Sequence, residues 1–454
     1  MNSSFFTISI FAAIISLHHL SSNGEARCHP DDESGLLAFK SGITRDPVGL
    51  LNSWKKGTNC CSWFGVRCIT DDRVTGLSVS GGDTSLGRGY LWGTISPSLA
   101  KLQHLEDVSF TYLKITGSFP QFLFHLPKLT VLRISGTRLS GPLPANIGTL
   151  SLTDVTIDDN QFTGPIPSSV SNLTRLTWLS LAGNRLSGTI PDIFKSMTKL
   201  TALDLSRNRL SGKLPLSIAS LAATLTYHDL SKNNLSGTIP SYLSRFKSLS
   251  TLDLSKNRFT GVVPMSFSNM TSFFHLRLSH NLLTDPFPAL KFVDGIAELD
   301  LSYNQFHLKT VPKWVTSSPV IYSLKLVKCG IKMSLDDWKP MKIKSFNYID
   351  LSENEISGNA AKFLNQAEGL YEFQASGNKL QFDLGNLTFA KTLQTLDLSR
   401  NLVFGKVPAT VAGLKKLNLS QNHLCGKLPV TKFPASVFAG NSCLCGSPLS
   451  PCKA

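Results

Sequence analysis

Along residues 176–191, LTWLSLAGNRLSGTIP, apolar side chains fall at Leu176, Leu179, Leu181 and Leu186, with Asn184 inside the set and Gly188 and Pro191 behind it. The arrangement returns as LTALDLSRNRLSGKLP from Leu200, LTYHDLSKNNLSGTIP from Leu225 and LSTLDLSKNRFTGVVP from Leu249. Units begin at Leu105, Leu129, Leu152, Leu176, Leu200, Leu225, Leu249, Phe273, Ile296, Ile321, Phe346, Leu370, Leu393 and Leu414, spaced 21 to 25 residues apart. A fixed period of this length predicts a solenoid, one continuous core in which each unit packs on its neighbours. Within each unit the period-two segment, such as WLSLA at 178–182, predicts a strand. Parallel strands stack about 4.7–4.9 Å apart, so equivalent positions form columns, leucines inward and the alternate residues on a concave face.

Asparagine occupies the ninth position of eleven units, for example Asn160, Asn184, Asn208 and Asn233. The chain must turn there with backbone groups pointing inward, and a buried amide side chain can satisfy both donors and acceptors. Cys329 holds the same position in the unit from Ile321 and reads as a buried substitute in that ladder. The Gly-x-x-Pro tail suits a bend into a second short extended segment. From residue 310 to 392 the tail decays, and IKMSLDDWKPMKIKS at 331–345 lacks it, which reads as local irregularity.

The repeats span 74–424 and begin with an irregular unit, RVTGLSVSGG from Arg73, that carries an insertion around residues 80–92. Residues 27–73 and 425–454 read as caps. A solenoid's first turn has a bare apolar end and an open strand edge, and a covering segment has to close both. DDESGLLAFKSGI in the first cap has helical apolar spacing.

Composition fits a folded chain, 42% hydrophobic and 17% charged over 454 residues. The formal charge of +15 favours acidic partners: nucleic acid, anionic membrane or acidic polysaccharide. The N-terminus selects among them. FFTISIFAAIISL at 5–17, followed by SSNGEA, reads as a secretory signal peptide over residues 1–26, cut near 22–26. It is too short to span a membrane comfortably, and no later run approaches eighteen apolar residues. The expectation is a secreted, extracellular chain with no membrane span and no nucleic-acid partner. Cysteine usage agrees, with Cys28, Cys60, Cys61 and Cys68 at one end and Cys425, Cys443, Cys445 and Cys452 at the other. Zinc binding is a weak rival in such a compartment. Adjacent cysteines pair poorly, so the expected bridges are Cys28–Cys60, Cys61–Cys68, Cys425–Cys443 and Cys445–Cys452.

Catalytic motifs are missing: no HExxH, GxSxG, Walker loop or dinucleotide fingerprint occurs, and the ten histidines lack ligand spacing. No enzyme activity, cofactor or metal is expected, and His275 and His280 read as surface residues. Aspartates recur at position five as Asp204, Asp229, Asp253, Asp300, Asp350 and Asp397. Neighbours would sit near the ~5 Å separation of a retaining glycosidase pair. An open sheet supplies no pocket to drive their pKa values apart, so solvated or serine-bonded carboxylates are the expectation.

Binding features are richer. Arg207, Lys232, Lys256 and His280 stand at position eight, and Arg185, Arg209 and Arg258 at position ten. In register, the cations would make a ridge about 15–20 Å long, read either as solvated decoration or as a polyanion-binding edge. Tyr112, Trp178, Tyr227, Phe274, Tyr303, Tyr322, Tyr348 and Tyr371 fall on the concave face and suit protein recognition. Sequons occur at Asn172, Asn234, Asn269, Asn386 and Asn418, the last on a strand toward the concave face.

The cap DDESGLLAFKSGI…DPVGLLNSW…CCSWFGVRC together with LxxLxLSxNxLSGxIP resembles the plant extracellular leucine-rich-repeat class over essentially the whole mature chain. Within it, paired cysteines at both ends resemble the polygalacturonase-inhibiting proteins and their longer relatives. The implied fold is α/β: a right-handed leucine-rich-repeat solenoid with a curved parallel sheet on the concave face and 3₁₀ or irregular segments on the convex one. The resemblance supports the same cysteine pairing. It also implies residence in the cell wall, association with pectin through basic residues, and capture of a pectin-degrading enzyme on the concave face. Transferred by position, the contact residues are Trp178, Asp204, Tyr227, Asp229, Asp253, His275 and Tyr303. Fourteen repeats exceed the roughly ten of typical inhibitors. Two alternatives stand beside inhibition: a soluble ligand-binding partner of receptor ectodomains, and a pectin-bound structural wall protein.

Overall fold

The computed structural model describes residues 28–69, 72–81, 90–291 and 295–452. The signal segment expected over 1–26 lies outside them, as does most of the insertion around residues 80–92. One sheet of sixteen strands runs through the described chain in sequence order. Fourteen of its strands, from Asp107–Thr111 to Lys416–Asn418, correspond one to one with the fourteen predicted units. They pair in parallel with equivalent positions opposite one another, so that Ser180, Asp204, Asp229, Asp253 and Arg277 form one row. The alternate side chains, Leu179, Leu203, Leu252 and Leu276 among them, are buried in a single core running from Cys28 to Phe438.

Each strand ends in a left-handed residue at position eight. All fourteen repeats have φ there between +52° and +64°, and only Gly136, Gly183 and Gly377 are glycine. A side chain in that region costs roughly 1–2 kcal/mol. The next residue holds the turn in place. In the Asn184 turn, Nδ2 donates to Leu181 O (3.1 Å) and, one repeat back, to Ile157 O (2.7 Å), while Oδ1 accepts from Phe162 N (3.1 Å). The same amide bonds stitch each repeat that has asparagine at position nine to the one before it, from Asn160 to Asn422. Cys329 occupies its expected place: buried, its Sγ 3.6 Å from both Leu301 O and Val327 O, and burial pushes the thiol pKa up.

The ladder goes one step further than the repeats. Asn441, inside the C-terminal cap, donates to Leu419 O and Phe438 O at 2.9 Å and accepts from Leu424 N. Residues 434–441 therefore form an incomplete fifteenth turn, with Gly440 at φ 76° in the left-handed place.

The bend after each ladder residue leads into a second sheet of ten strands, ending at Leu282–Thr284. Beyond it the described residues continue with isolated bridges, one two-stranded pair and a three-stranded sheet that ends at Cys443–Cys445. This is where the Gly-x-x-Pro tail fades. The convex side is built mainly of 3₁₀ turns, with short α-helices at Lys313–Thr316 and Ala361–Gln366 in the decayed region.

The N-terminal cap closes both sheets. Val66–Cys68 runs antiparallel along the edge of the main sheet, and Ile43–Arg45 does so along the edge of the second. The predicted helix, Pro30–Ser41, lays Leu36 and Phe39 over the first turn of the core, where Phe39 stacks on Phe110 at 5.5 Å. Fully buried Asp32 binds Arg73 through two 3.0 Å hydrogen bonds and accepts from Val74 N, fixing cap to repeats. All four disulfides connect the cysteines as expected.

Candidate functional site: the concave face

The strands present three columns to the concave side, at positions three, five and eight, with position two along the margin. Their charges divide the face into thirds. In the first third, Arg67, Asp107, Arg133 and Asp154 alternate in charge, Arg67 reaching Asp107 across the Val74–Ser80 strand, with contacts of 3.8, 3.8 and 3.1 Å. This chain neutralises itself and leaves little charge to offer.

The central third differs. Trp178 and Tyr227 stack at 6.3 Å with ring planes 16° apart, and buried Ala202 forms the floor between them. Beside them runs the row Asp204, Asp229 and Asp253. One carboxylate oxygen of each accepts the backbone N–H two residues on, from Ser206, Ser231 and Ser255, at 2.8–2.9 Å. Asp300, Asp350 and Asp397 repeat the bond with Ser302, Ser352 and Ser399. The serine-bonded reading of these residues therefore holds. Burial raises the pKa of Asp204, Asp229 and Asp253, and for Asp253 the neighbouring Asp229 adds to it. Among the described residues, no cation lies within ion-pair distance of Asp204 or Asp229. Asp253 is more deeply set and lies 3.6 Å from Arg277, so it contributes less surface than its position suggested.

Arg277 opens the last third, bound to Glu298. His275 is half-buried rather than a free surface residue: its Nδ1 lies 3.3 Å from Thr251 Oγ1 and its Nε2 3.4 Å from the Tyr322 hydroxyl, and burial lowers its pKa. His280 is exposed, with its ring 4.5 Å from that of Tyr303.

The predicted cationic ridge is only partly assembled. Arg185, Arg207, Arg209, Lys232, Lys256 and Arg258 are all exposed. Arg207, however, is bound to Asp159 at 2.7 Å. The position-ten arginines sit in the second sheet, where successive strands are offset by two residues, so Arg209 lies beside Ser187 rather than Arg185. Asn234 fills that column between Arg209 and Arg258, and it is a sequon. A glycan there would stand in the middle of the ridge. Asn172 and Asn269 end convex 3₁₀ turns and are exposed, whereas the Asn386 side chain lies outside the described residues. Asn418 takes the position-five role, accepting from Ser420 N at 3.2 Å on the concave face.

Two features escaped the sequence reading. Thr130, Thr153, Thr177, Thr201, Thr226 and Ser250 at position two each donate a side-chain hydroxyl to the carbonyl of the preceding repeat. Their recurrence one residue after the first leucine was the available signal. His228 stands at the inward position four, where its strand neighbours are Leu203 and Leu252. It is fully buried with neither ring nitrogen hydrogen-bonded, and burial lowers its pKa to about 4. A histidine in a leucine column was visible in the repeat alignment.

No group of three or more His, Cys, Asp or Glu able to hold a metal occurs among the described residues. No helix among them is long and apolar enough to cross a membrane. The geometry is that of an open binding surface on a rigid solenoid.

Comparisons with known proteins agree. Residues 29–69 match the leucine rich repeat N-terminal domain, and 128–150, 151–210 and 223–283 match leucine rich repeat models. The chain is 34% identical over 121 residues to DNA damage-repair/toleration protein DRT100 of Arabidopsis thaliana, covering 25% of this chain and 32% of that protein. It is 39% identical over 112 residues to polygalacturonase inhibitor 2 of Phaseolus vulgaris, covering 23% and 33%. These alignments reach about a third of the curated relatives' length. Plant peptide hormone receptor RGFR1, solved in complex with RGF2, superposes with a TM-score of 0.63 at 24% identity, over 78% of this chain and 66% of that one. The chain is thus similar to plant leucine-rich-repeat proteins in its N-terminal domain, its repeats and its fold. Its relatives include polygalacturonase inhibitors and, by fold, receptor ectodomains.

Proposed function

We propose that this protein is a cell-wall recognition module that captures a pectin-degrading enzyme of the polygalacturonase kind on the centre of its concave face and inhibits it. The observation that carries this reading is the pre-stacked pair of exposed Trp178 and half-buried Tyr227 beside the Asp204–Asp229 row, which has no cation within ion-pair distance among the described residues. Aromatic anchors already held in place lose little entropy on binding. A carboxylate row without its own counter-ions favours a partner that brings cations. The similarity to polygalacturonase inhibitor 2 over 112 residues supports the enzyme class. Exposed Lys232, Lys256 and Arg258 provide for association with pectin, outside the aromatic pair.

The test follows reducing-end release from polygalacturonate by a panel of fungal endopolygalacturonases at rising concentrations of the secreted, glycosylated protein. Saturable inhibition that disappears in the Trp178→Ala/Tyr227→Ala variant is expected. No inhibition and no complex with any enzyme would overturn the reading, and co-purification with a receptor ectodomain would replace it with the receptor-partner role.

A further inference from the structure

The margin of the concave sheet changes character along its length. In repeats two to seven position two is the hydroxyl ladder, which is spent on backbone carbonyls. From repeat eight the column reads Phe274, Ala297, Tyr322, Asn347, Tyr371. Large rings alternate with small or polar residues, and the three rings are each 39–42% exposed. Two of them are held in orientation. The His275 ring meets Phe274 edge-on at 4.9 Å and Tyr322 edge-on at 6.4 Å. Ala297 is fully buried and floors the first notch, while Asn347 is exposed in the second.

The spacing is informative. Rings on every second strand repeat at about 9.4–9.8 Å. An extended β ligand repeats every two residues at about 6.6–6.8 Å and falls out of step at once. A polyproline II helix rises about 3.1 Å per residue and repeats every three residues, about 9.3 Å, so its residues i, i+3 and i+6 track the rings. Aromatic rows with interspersed hydrogen-bond donors are how such helices are bound elsewhere, pyrrolidine rings lying between aromatic faces. The local charge is acidic although the chain as a whole is basic. Asp300 and Asp350 flank Lys325, Glu372 lies beside Tyr348, and Arg277 and Arg400 are already engaged by Glu298 and Glu353, so that Lys328 is the one further exposed lysine or arginine on these concave columns in repeats eight to twelve among the described residues.

We propose that Phe274, Tyr322 and Tyr371 form a docking comb for a proline-rich protein segment in polyproline II conformation that carries lysine or arginine. The segment lies across repeats eight to twelve, beyond the Trp178–Tyr227 pair, and the inference does not depend on the enzyme reading. Asn347 offers its amide to a ligand carbonyl between the last two rings.

The experiment titrates the full secreted protein with a lysine-flanked oligoproline of about nine residues. Binding is followed by calorimetry and by tyrosine fluorescence. Saturable binding is expected, weakened about tenfold by Tyr322→Leu and by Tyr371→Leu, retained in Tyr322→Phe and unchanged in Tyr112→Ala. Thermal melts of the leucine variants should match the parent, because the rings are exposed. A glutamate-flanked oligoproline should bind more weakly. Equal affinity for a lysine-flanked Gly-Ser peptide, or the absence of binding at millimolar peptide, overturns the proposal. So does binding of a neutral cello-oligosaccharide in place of the peptide, which would assign the comb to carbohydrate.

Discussion

Trp178 and Tyr227 lie on strands that are not neighbours, yet their rings stack across Ala202, the buried residue between them. The contact exists because position three is occupied by a large ring, a methyl and a large ring in successive repeats. An aromatic pair prepared in this way is suited to a binding contact. It is not a part of the core, since Trp178 is 40% exposed.

Trp178→Ala should therefore leave the thermal midpoint nearly unchanged, because exposed substitutions away from caps and core usually stay within about 0.5 kcal/mol. Affinity for the captured enzyme should fall by roughly 30-fold or more, the scale of an interface hot spot. Parallel melting and binding titrations separate the two roles. A large loss of stability with binding intact would make the pair a brace for the sheet.

His228 gives the stability a pH dependence of known sign. Its folded pKa, about 4, lies below the unfolded value near 6.5, because burial without a partner disfavours the charged ring. The unfolded chain therefore binds this proton first as pH falls. The contribution is favourable and complete above pH 6.5, is lost between 6.5 and 4, and amounts to at most about 3 kcal/mol. The titrating groups of the adjacent strands, Asp204, Asp229, Asp253 and Tyr227, point to the opposite face and are common to parent and variant. His228→Leu should thus melt like the parent or slightly higher at pH 7.5 and increasingly above it toward pH 4.5. Parallel profiles would show that the ring finds a partner or water on protonation.

The fold was legible because it is written fourteen times. Leucine spacing gave the strands, the ninth-position asparagines gave the turns, and even Cys329 could be placed by its register alone. Features that do not repeat were harder to read. His228 hides in a column otherwise read as leucine. Asn441 follows no leucine pattern, so the fifteenth turn went unseen. The cationic ridge was drawn from column register, which holds in the main sheet but not in the second, where a two-residue offset and the Arg207–Asp159 pair break it up. The neutral first third and acidic centre of the concave face depend on which side chains meet, and a repeat alignment does not contain that.

The cap offers a sharper test of attachment. Asp32 is fully buried and holds both Arg73 and the Val74 N–H. Removing one partner of a buried pair strands the other, at about 3–5 kcal/mol. Arg73→Met should therefore lower the stability of the N-terminal repeats by that order. The Asp32→Leu/Arg73→Met double variant should recover much of it, since no charge remains buried. Amide exchange over residues 74–111 reads both. Equal losses in single and double variants would show that the carboxylate serves mainly as acceptor for Val74.

Cys329 and Asn441 test the ladder from opposite directions. Asparagine at position nine supplies two donors and an acceptor, whereas Cys329 supplies one weak S–H donor to two carbonyls 3.6 Å away. Cys329→Asn should restore the missing bonds to Leu301 O and Val327 O and raise stability by about 1 kcal/mol, the net contribution of a typical hydrogen bond. Asn441→Ala should leave the carbonyls of Leu419 and Phe438 and the N–H of Leu424 without their partner, at about 1–3 kcal/mol. That loss should appear as faster amide exchange confined to the C-terminal cap, because a solenoid transmits a local defect only to neighbouring turns. Denaturant midpoints measure the first substitution and residue-resolved exchange the second. A destabilised Cys329→Asn would mean that the turn at residues 328–330, which ends in Gly330, has closed around sulfur and no longer accommodates an amide.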